Sequence, residues 1–206
     1  MDKKIIVCVV GVRGFPKVQG GAEKHCESLY PLMTNDFEFI VYRRSPYVNS
    51  GKSYPNIRFV DLPSTKIKGF EALFHSFIAT VGSCFTSASI VHFHNIGPGL
   101  FAPLARLFGK KVVLTYHSAN YEHAKWGTFA KKLLHLCESV SLHFANGIIF
   151  VNRFQMEKYP MKIRQKSVHI PNGVPDILPT KADSYIKSLG LETHKYILGV
   201  GRITPE

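Results

Sequence analysis

"KIIVCVVGVRGFPKVQGGAEKHCESLYPLM", residues 4–33, contains the pattern on which the fold reading turns. Its first seven residues are almost all apolar or β-branched, as in a strand buried on both faces. Gly11, Gly14, Pro16, Gly20 and Gly21 then make a long loop, and an amphipathic helix is expected from Ala22. The loop stands at the carboxyl end of the first strand, where open parallel sheets take their ligands. The glycines lack the Gly-x-Gly-x-x-Gly spacing, which excludes the usual dinucleotide turn. Gly20-Gly21 instead sits just before the helix, where free N–H groups and the positive end of the dipole meet a phosphate if no side chain intervenes. Glu23 in the first turn suits that terminus as well. A glycine pair that serves only chain geometry is the commoner case, and these residues alone leave both readings open.

The rest of the chain repeats the opening. Short apolar runs at residues 37–42, 57–62, 90–93, 111–116, 147–151 and 166–170 predict further strands. Between them Phe70, Leu73, Phe74, Phe77, Ile78, Val81 and Phe85 recur at helical spacing, as do Phe129, Leu133, Cys137, Val140 and Phe144. Strands alternating with helices imply right-handed crossovers and an α/β fold, a parallel sheet with helices on both faces. Three prolines and an Asn-Gly pair in "IPNGVPDILPT", residues 170–180, read as an interdomain hinge. The expected boundaries are one domain over residues 1–178 and, over 179–206, a linker helix followed by the first strand of a missing second domain, "KYILGVGRITPE".

Composition narrows the partners. The net charge of +12 over 206 residues points to an anionic partner. The basic residues are scattered in small clusters such as Arg43-Arg44 and Lys110-Lys111, without the dense, aromatic-interleaved footprint of nucleic-acid modules, so no nucleic acid is expected. The opening residues lead straight into a strand with no leader-like segment, which gives a cytoplasmic expectation. Four cysteines lie far apart with no Cys-x-x-Cys pair, and are read as buried thiols.

"VHFHNIGPG", residues 91–99, and "LTYHSANYEHAKWG", residues 114–127, close the fourth and fifth strands. His92 and His94 share one strand face and are conceivable metal ligands, but no acidic partner stands near, so no metal is expected. His94 and Asn95 are preferred as hydrogen-bonding groups at a cleft mouth. His117, at the next strand end, is followed by a polar loop with Tyr121 and Lys125. Two neighbouring strand ends that both offer histidine favour a functional site there.

"RGFPKVQGGAEKHCESLYP", "HFHNIGPGLFAPLARLFGKKVVLTYHSANYEHAKWG", "IPNGV" and "VGRITPE", in this order, resemble the amino-terminal half of a family 4 glycosyltransferase of the GT-B fold. The resemblance runs nearly end to end. It implies a Rossmann-like GT-B N-terminal domain that holds the acceptor and faces a second domain that holds a nucleotide-sugar donor. Transfer would retain anomeric configuration without a metal. By the same resemblance Gly20 and Gly21 lie against the donor diphosphate, His117 is the catalytic histidine that contacts the transferred sugar, and Arg202 binds the diphosphate. His94, Asn95, Tyr121 and Lys125 are the expected acceptor-binding residues. The acceptor would be a saccharide or a polyprenyl-linked sugar used in cell-surface polysaccharide synthesis, met at an anionic membrane face. The resemblance also places a Lys-Gly pair after Glu206 and a pair of donor-holding glutamates in the second domain, so the 206 residues are expected to be inactive alone. The alternative is a sugar- or lipid-binding module without catalysis.

Overall fold

The computed structural model describes residues 4–48, 51–65, 67, 70–119, 121, 127–173, 183–192 and 195–199. Two compact units are present, Met1–Gly173 and Val174–Glu206.

The first unit is built on a seven-stranded sheet, all parallel, in the order β3-β2-β1-β4-β5-β6-β7. The strands are β1 (Ile5–Val10), β2 (Phe37–Arg44), β3 (Ile57–Leu62), β4 (Ile90–His94), β5 (Lys111–Tyr116), β6 (Gly147–Phe150) and β7 (Ser167–His169). All seven fall on the apolar runs of the sequence, because a strand covered on both faces has no polar side to alternate with. Alternate residues of β1 feed two separate cores. Cys8 and Val10 join Ile40, Tyr42, Val91, Phe93 and Leu114 on one face. Val7 and Val9 join Phe15, Cys26, Tyr30, Phe39 and Val41 on the other. Helix α1 (Gly21–Leu29) and the 3-10 turn Tyr30–Met33 cover this second face.

The first face is covered mainly by α2 (Glu71–Cys84), α3 (Ile96–Gly99), α4 (Ala102–Leu107) and α5 (Thr128–Phe144), with α6 (Arg153–Glu157) and α7 (Met161–Arg164) near β6 and β7. The long helices stand where the phenylalanine spacing predicts them, but the spacing does not show which side is buried. The buried residues of α2 are His75, Ser76, Ala79, Thr80, Ser83 and Cys84, while Phe70, Phe77 and Phe85 are 53%, 46% and 77% exposed. Hydroxyls tolerate that burial because they bond to their own helix: Ser76 donates to Ala72 O, Thr80 to Ser76 O and Ser83 to Thr80 O. Phe129 of α5 is likewise exposed. All four cysteines are buried and free, as expected.

The second unit contains helix α8 (Asp183–Ser188) within the segment expected to be a linker helix. Of the segment expected to form a strand, residues 195–199 are described and carry no strand, and the residues from 200 onward lie outside the described residues.

Candidate functional site

The strand order reverses between β1 and β4, so the chain leaves these neighbours in opposite directions and opens a crevice at their carboxyl ends. The loop after β1 is anchored there from three sides. Phe15 is fully buried against Tyr30, Tyr54 and Phe59. Arg43 donates to Phe15 O at 3.2 Å while its guanidinium forks onto Asp61 at 2.7 and 2.8 Å. Arg44 N donates to Arg13 O at 2.9 Å. A loop tied in this way holds the start of α1 in place.

Glu23 is buried and turns back onto the loop, accepting from Arg13 N and Arg13 Nε, each at 3.1 Å. Arg13 also donates to Gln19 O at 2.7 Å. The ion pair offsets the negative charge of Glu23 next to the helix N-terminus, where it would otherwise repel an anion. Gly20 caps α1 with φ 148°, and a Cβ there would overlap the Glu23 carboxylate. Gly21 differs: a Cβ built on it meets no heavy atom within 4 Å. Of the pair, Gly20 is therefore demanded by chain geometry, and Gly21 leaves an open approach to the first turn.

Behind the crevice four histidines converge. His94 Nδ1 lies 3.0 Å from His117 Nε2, and His94 Nε2 lies 2.7 Å from the Tyr30 hydroxyl. The same hydroxyl is 2.9 Å from His92 Nδ1, whose Nε2 is 2.8 Å from Thr115 Oγ1. His25, one turn into α1, packs its ring 5.3 Å from that of His117. Burial lowers the pKa of His92 to about 3 and that of His117 to about 4, with His25 adding to both effects. Burial also pushes His94 well below the usual histidine value, with His92 next in effect. All three rings are neutral at physiological pH. His25 is lowered too, chiefly by burial, while the Asn172 side chain from the hinge motif acts in the opposite sense.

The sequence-derived residues thus divide. Gly20, Gly21, Asn95 and His117 stand at strand ends or at the start of α1 around the crevice. Asn95 adopts φ 74°, ψ 160°, a conformation that residues other than glycine rarely accept and that marks functional strand ends elsewhere. His94 is fully buried and belongs to the row behind His117. Tyr121 turns its hydroxyl onto both Glu138 oxygens, at 3.1 and 3.2 Å, beside Tyr116 and Tyr159. Lys125 and Arg202 lie outside the described residues. Sequence reasoning missed His25, Tyr30 and Thr115, because nothing in a helix, a turn or a strand pattern announces a hydrogen bond to another element.

The sequence matches the model of Glycosyltransferase Family 4 over residues 19–176. Comparison with curated proteins gives no match. Among solved structures, sucrose-phosphate synthase from Thermosynechococcus elongatus is similar at TM-score 0.70 and 19% identity, covering 93% of this chain and 54% of its own. HepE of Anabaena, solved with UDP and glucose, gives TM-score 0.56 at 11% identity, covering 91% and 50%. UGT89C1 of Arabidopsis thaliana, complexed with UDP-L-rhamnose, gives 0.59 at 11% identity, covering 91% and 57%. At these identities the likeness shows the fold, the Rossmann-like N-terminal domain of a GT-B glycosyltransferase, and the chain spans about half the length of each structure. With the family match running from the end of the glycine loop through the last strand of the sheet, the chain belongs to glycosyltransferase family 4.

Proposed function

We propose that this chain is the acceptor-side half of a retaining glycosyltransferase that moves a hexose or rhamnose from a nucleotide-sugar to a saccharide or polyprenyl-linked acceptor in cell-surface polysaccharide synthesis. The observation that carries the reading is the packing of His25 against His117, which brings a neutral histidine beside the helix whose open N-terminus begins at Gly21. The donor diphosphate lies over the first turn of α1. His117 contacts the transferred sugar. Preorganised donors of this kind offset charge on the departing nucleotide, the main electrostatic need of the step. The donor is itself the substrate, and no metal or other cofactor is required. In the complete gene product, His117→Ala is expected to lower turnover about tenfold or more while leaving the folded state intact. An unchanged rate would move the role to another residue, and binding of acceptor without any turnover would leave a non-catalytic module.

The same reading places the protein in the cytoplasm, at the inner face of the membrane. Among the described residues no helix is long and apolar enough to cross a bilayer. What supports a peripheral contact is the charge of +12 together with the outward phenylalanines of α2. Phe85 meets Phe108 at 5.5 Å between ring centres, exposed Leu107 precedes Phe108 in the chain, and Lys110 donates to the carbonyls of Thr86 and Ala88 just after Phe85. Basic residues near an anionic surface contribute about 1 kcal/mol each. Co-sedimentation with phosphatidylglycerol vesicles is expected, with little binding to phosphatidylcholine and a loss of several-fold in Phe85→Glu. Equal binding to both lipids, or to neither, removes the membrane contact.

A further inference from the structure

The hydrogen bonds behind His117 form one row: Thr115 hydroxyl, His92, Tyr30 hydroxyl, His94, His117. A neutral imidazole has one N–H and one bare nitrogen, and a phenol has one O–H. Burial raises the Tyr30 pKa well above its ordinary value, so the hydroxyl keeps its proton. A Tyr30 oxygen that accepted from both rings would leave its O–H, among the described residues, only the Cys26 sulfur, a weak acceptor. With that O–H spent inside the row, each bond runs in the same sense as the next, and the row has two arrangements. In the first, Thr115 donates to His92, His92 to Tyr30, Tyr30 to His94, and His94 Nδ1–H to His117 Nε2. His117 then carries its own proton on Nδ1. In the second every bond reverses, and His117 carries it on Nε2.

The deep end of the row decides between them. Thr115 is buried, and among the described residues His92 is the partner of its hydroxyl. In the reversed arrangement Thr115 accepts from His92 and its own O–H finds no acceptor. A buried donor left unmet costs more than a spare lone pair, so the first arrangement wins.

We propose that Thr115, His92 and Tyr30 are positioning residues that hold His117 as its Nδ1–H tautomer, so that the ring meets its ligand as a hydrogen-bond donor and not as a base. The significance for transfer rests on the function proposed above, in which His117 contacts the sugar. A ring locked in this way donates to a sugar or phosphate oxygen without first reorienting, and a donor fixed beforehand is worth more than one that must rearrange.

Long-range 1H–15N correlation spectra of the 15N-histidine-labelled chain at neutral pH read the tautomer directly, with His117 assigned by its loss in His117→Gln. The expected result is a protonated Nδ1 and a bare Nε2. Thr115→Val removes the terminal donor and should replace that single signature with a mixture or with its reverse, whereas Thr115→Ser, which keeps the hydroxyl, should restore it. Should the valine variant fail to fold, Tyr30→Phe breaks the row at its middle with the same expected loss. An Nε2–H signature in the unaltered chain, or an unchanged His117 signature in a folded Thr115→Val or Tyr30→Phe variant, overturns the proposal. These spectra involve no sugar, so failure of the catalytic reading would show separately, in the turnover of His117→Ala.

Discussion

Between pH 6.5 and about 4.5 the first unit is expected to lose most of its stability and unfold above the range in which carboxylates usually titrate. The cause is a set of histidines buried as neutral rings. His117 stands at the crevice with His92 and His94 in the row behind it, and His75 lies fully buried in α2 with neither ring nitrogen hydrogen-bonded among the described residues. Burial lowers His75 to about 4, with the Arg44 guanidinium acting in the same direction. The unfolded chain takes up these protons near the ordinary value of 6.5, while the folded protein resists them down to about 4 at His75 and His117 and about 3 at His92. Folded values below unfolded ones mean stability that is present above pH 6.5 and lost as the pH falls toward the folded values. Each group contributes a slope of at most about 1.4 kcal/mol per pH unit. Four together approach about 5 kcal/mol per unit, comparable with the lower end of a domain's total stability. Urea midpoints at pH 7.5, 6.5, 5.5 and 4.5 test this. A flat profile below 6.5 would mean that the rings are already charged in the folded state. His75→Leu, which removes an unpartnered ring outside the hydrogen-bonded row, should reduce the slope by one proton and raise the midpoint at pH 5.5.

Gly20→Ala and Gly21→Ala are expected to have opposite consequences although the residues are adjacent. At Gly20 a methyl group meets the Glu23 carboxylate, and the backbone stands at φ 148°. The substitution should cost about 1–3 kcal/mol, because either the strained backbone is kept or the Arg13–Glu23 pair is displaced. At Gly21 the methyl projects into open space and alanine favours the helix by up to about 1 kcal/mol, so stability should hold or rise. Donor affinity should nonetheless fall in the complete gene product, since the methyl stands in the approach to the free N–H groups. The variant separates a structural role from a binding role by two measurements, a denaturation midpoint and the KM for the nucleotide-sugar. An unchanged KM with an unchanged midpoint would show that the diphosphate is seated elsewhere.

The strands were legible because their signal is local. A run such as residues 4–10 has few alternatives to a covered strand, and all seven strands appear within two residues of the runs that predict them. The strand-end positions were legible as well, since Asn95 and His117 each follow a strand and Gly20 and Gly21 close the loop after the first, whereas the strand order that makes a switch point there was not. Helix orientation was not. The spacing of Phe70, Phe77 and Phe85 predicts one helical face without saying which way it turns, and here it turns outward. The partner of Tyr121 was not legible either: its hydroxyl meets Glu138, 17 positions further along the chain.

What the sequence by itself determined, then, is the alternation of strands and helices, the glycine loop ahead of α1 and the histidines at two strand ends, all set by residue type and short-range spacing. Only the tertiary structure decided that the small, hydroxyl-bearing side of α2 faces the sheet, that of the pair Gly20-Gly21 the first alone answers to backbone geometry, and that Tyr30 joins His92 to His94. Each of these depends on groups far apart in the chain: Tyr30 and His94 are separated by 64 positions, yet their side chains lie 2.7 Å apart. Burial then turns that proximity into chemistry, because a histidine shut away from water must stay neutral and must share its one proton with whatever the fold has placed beside it.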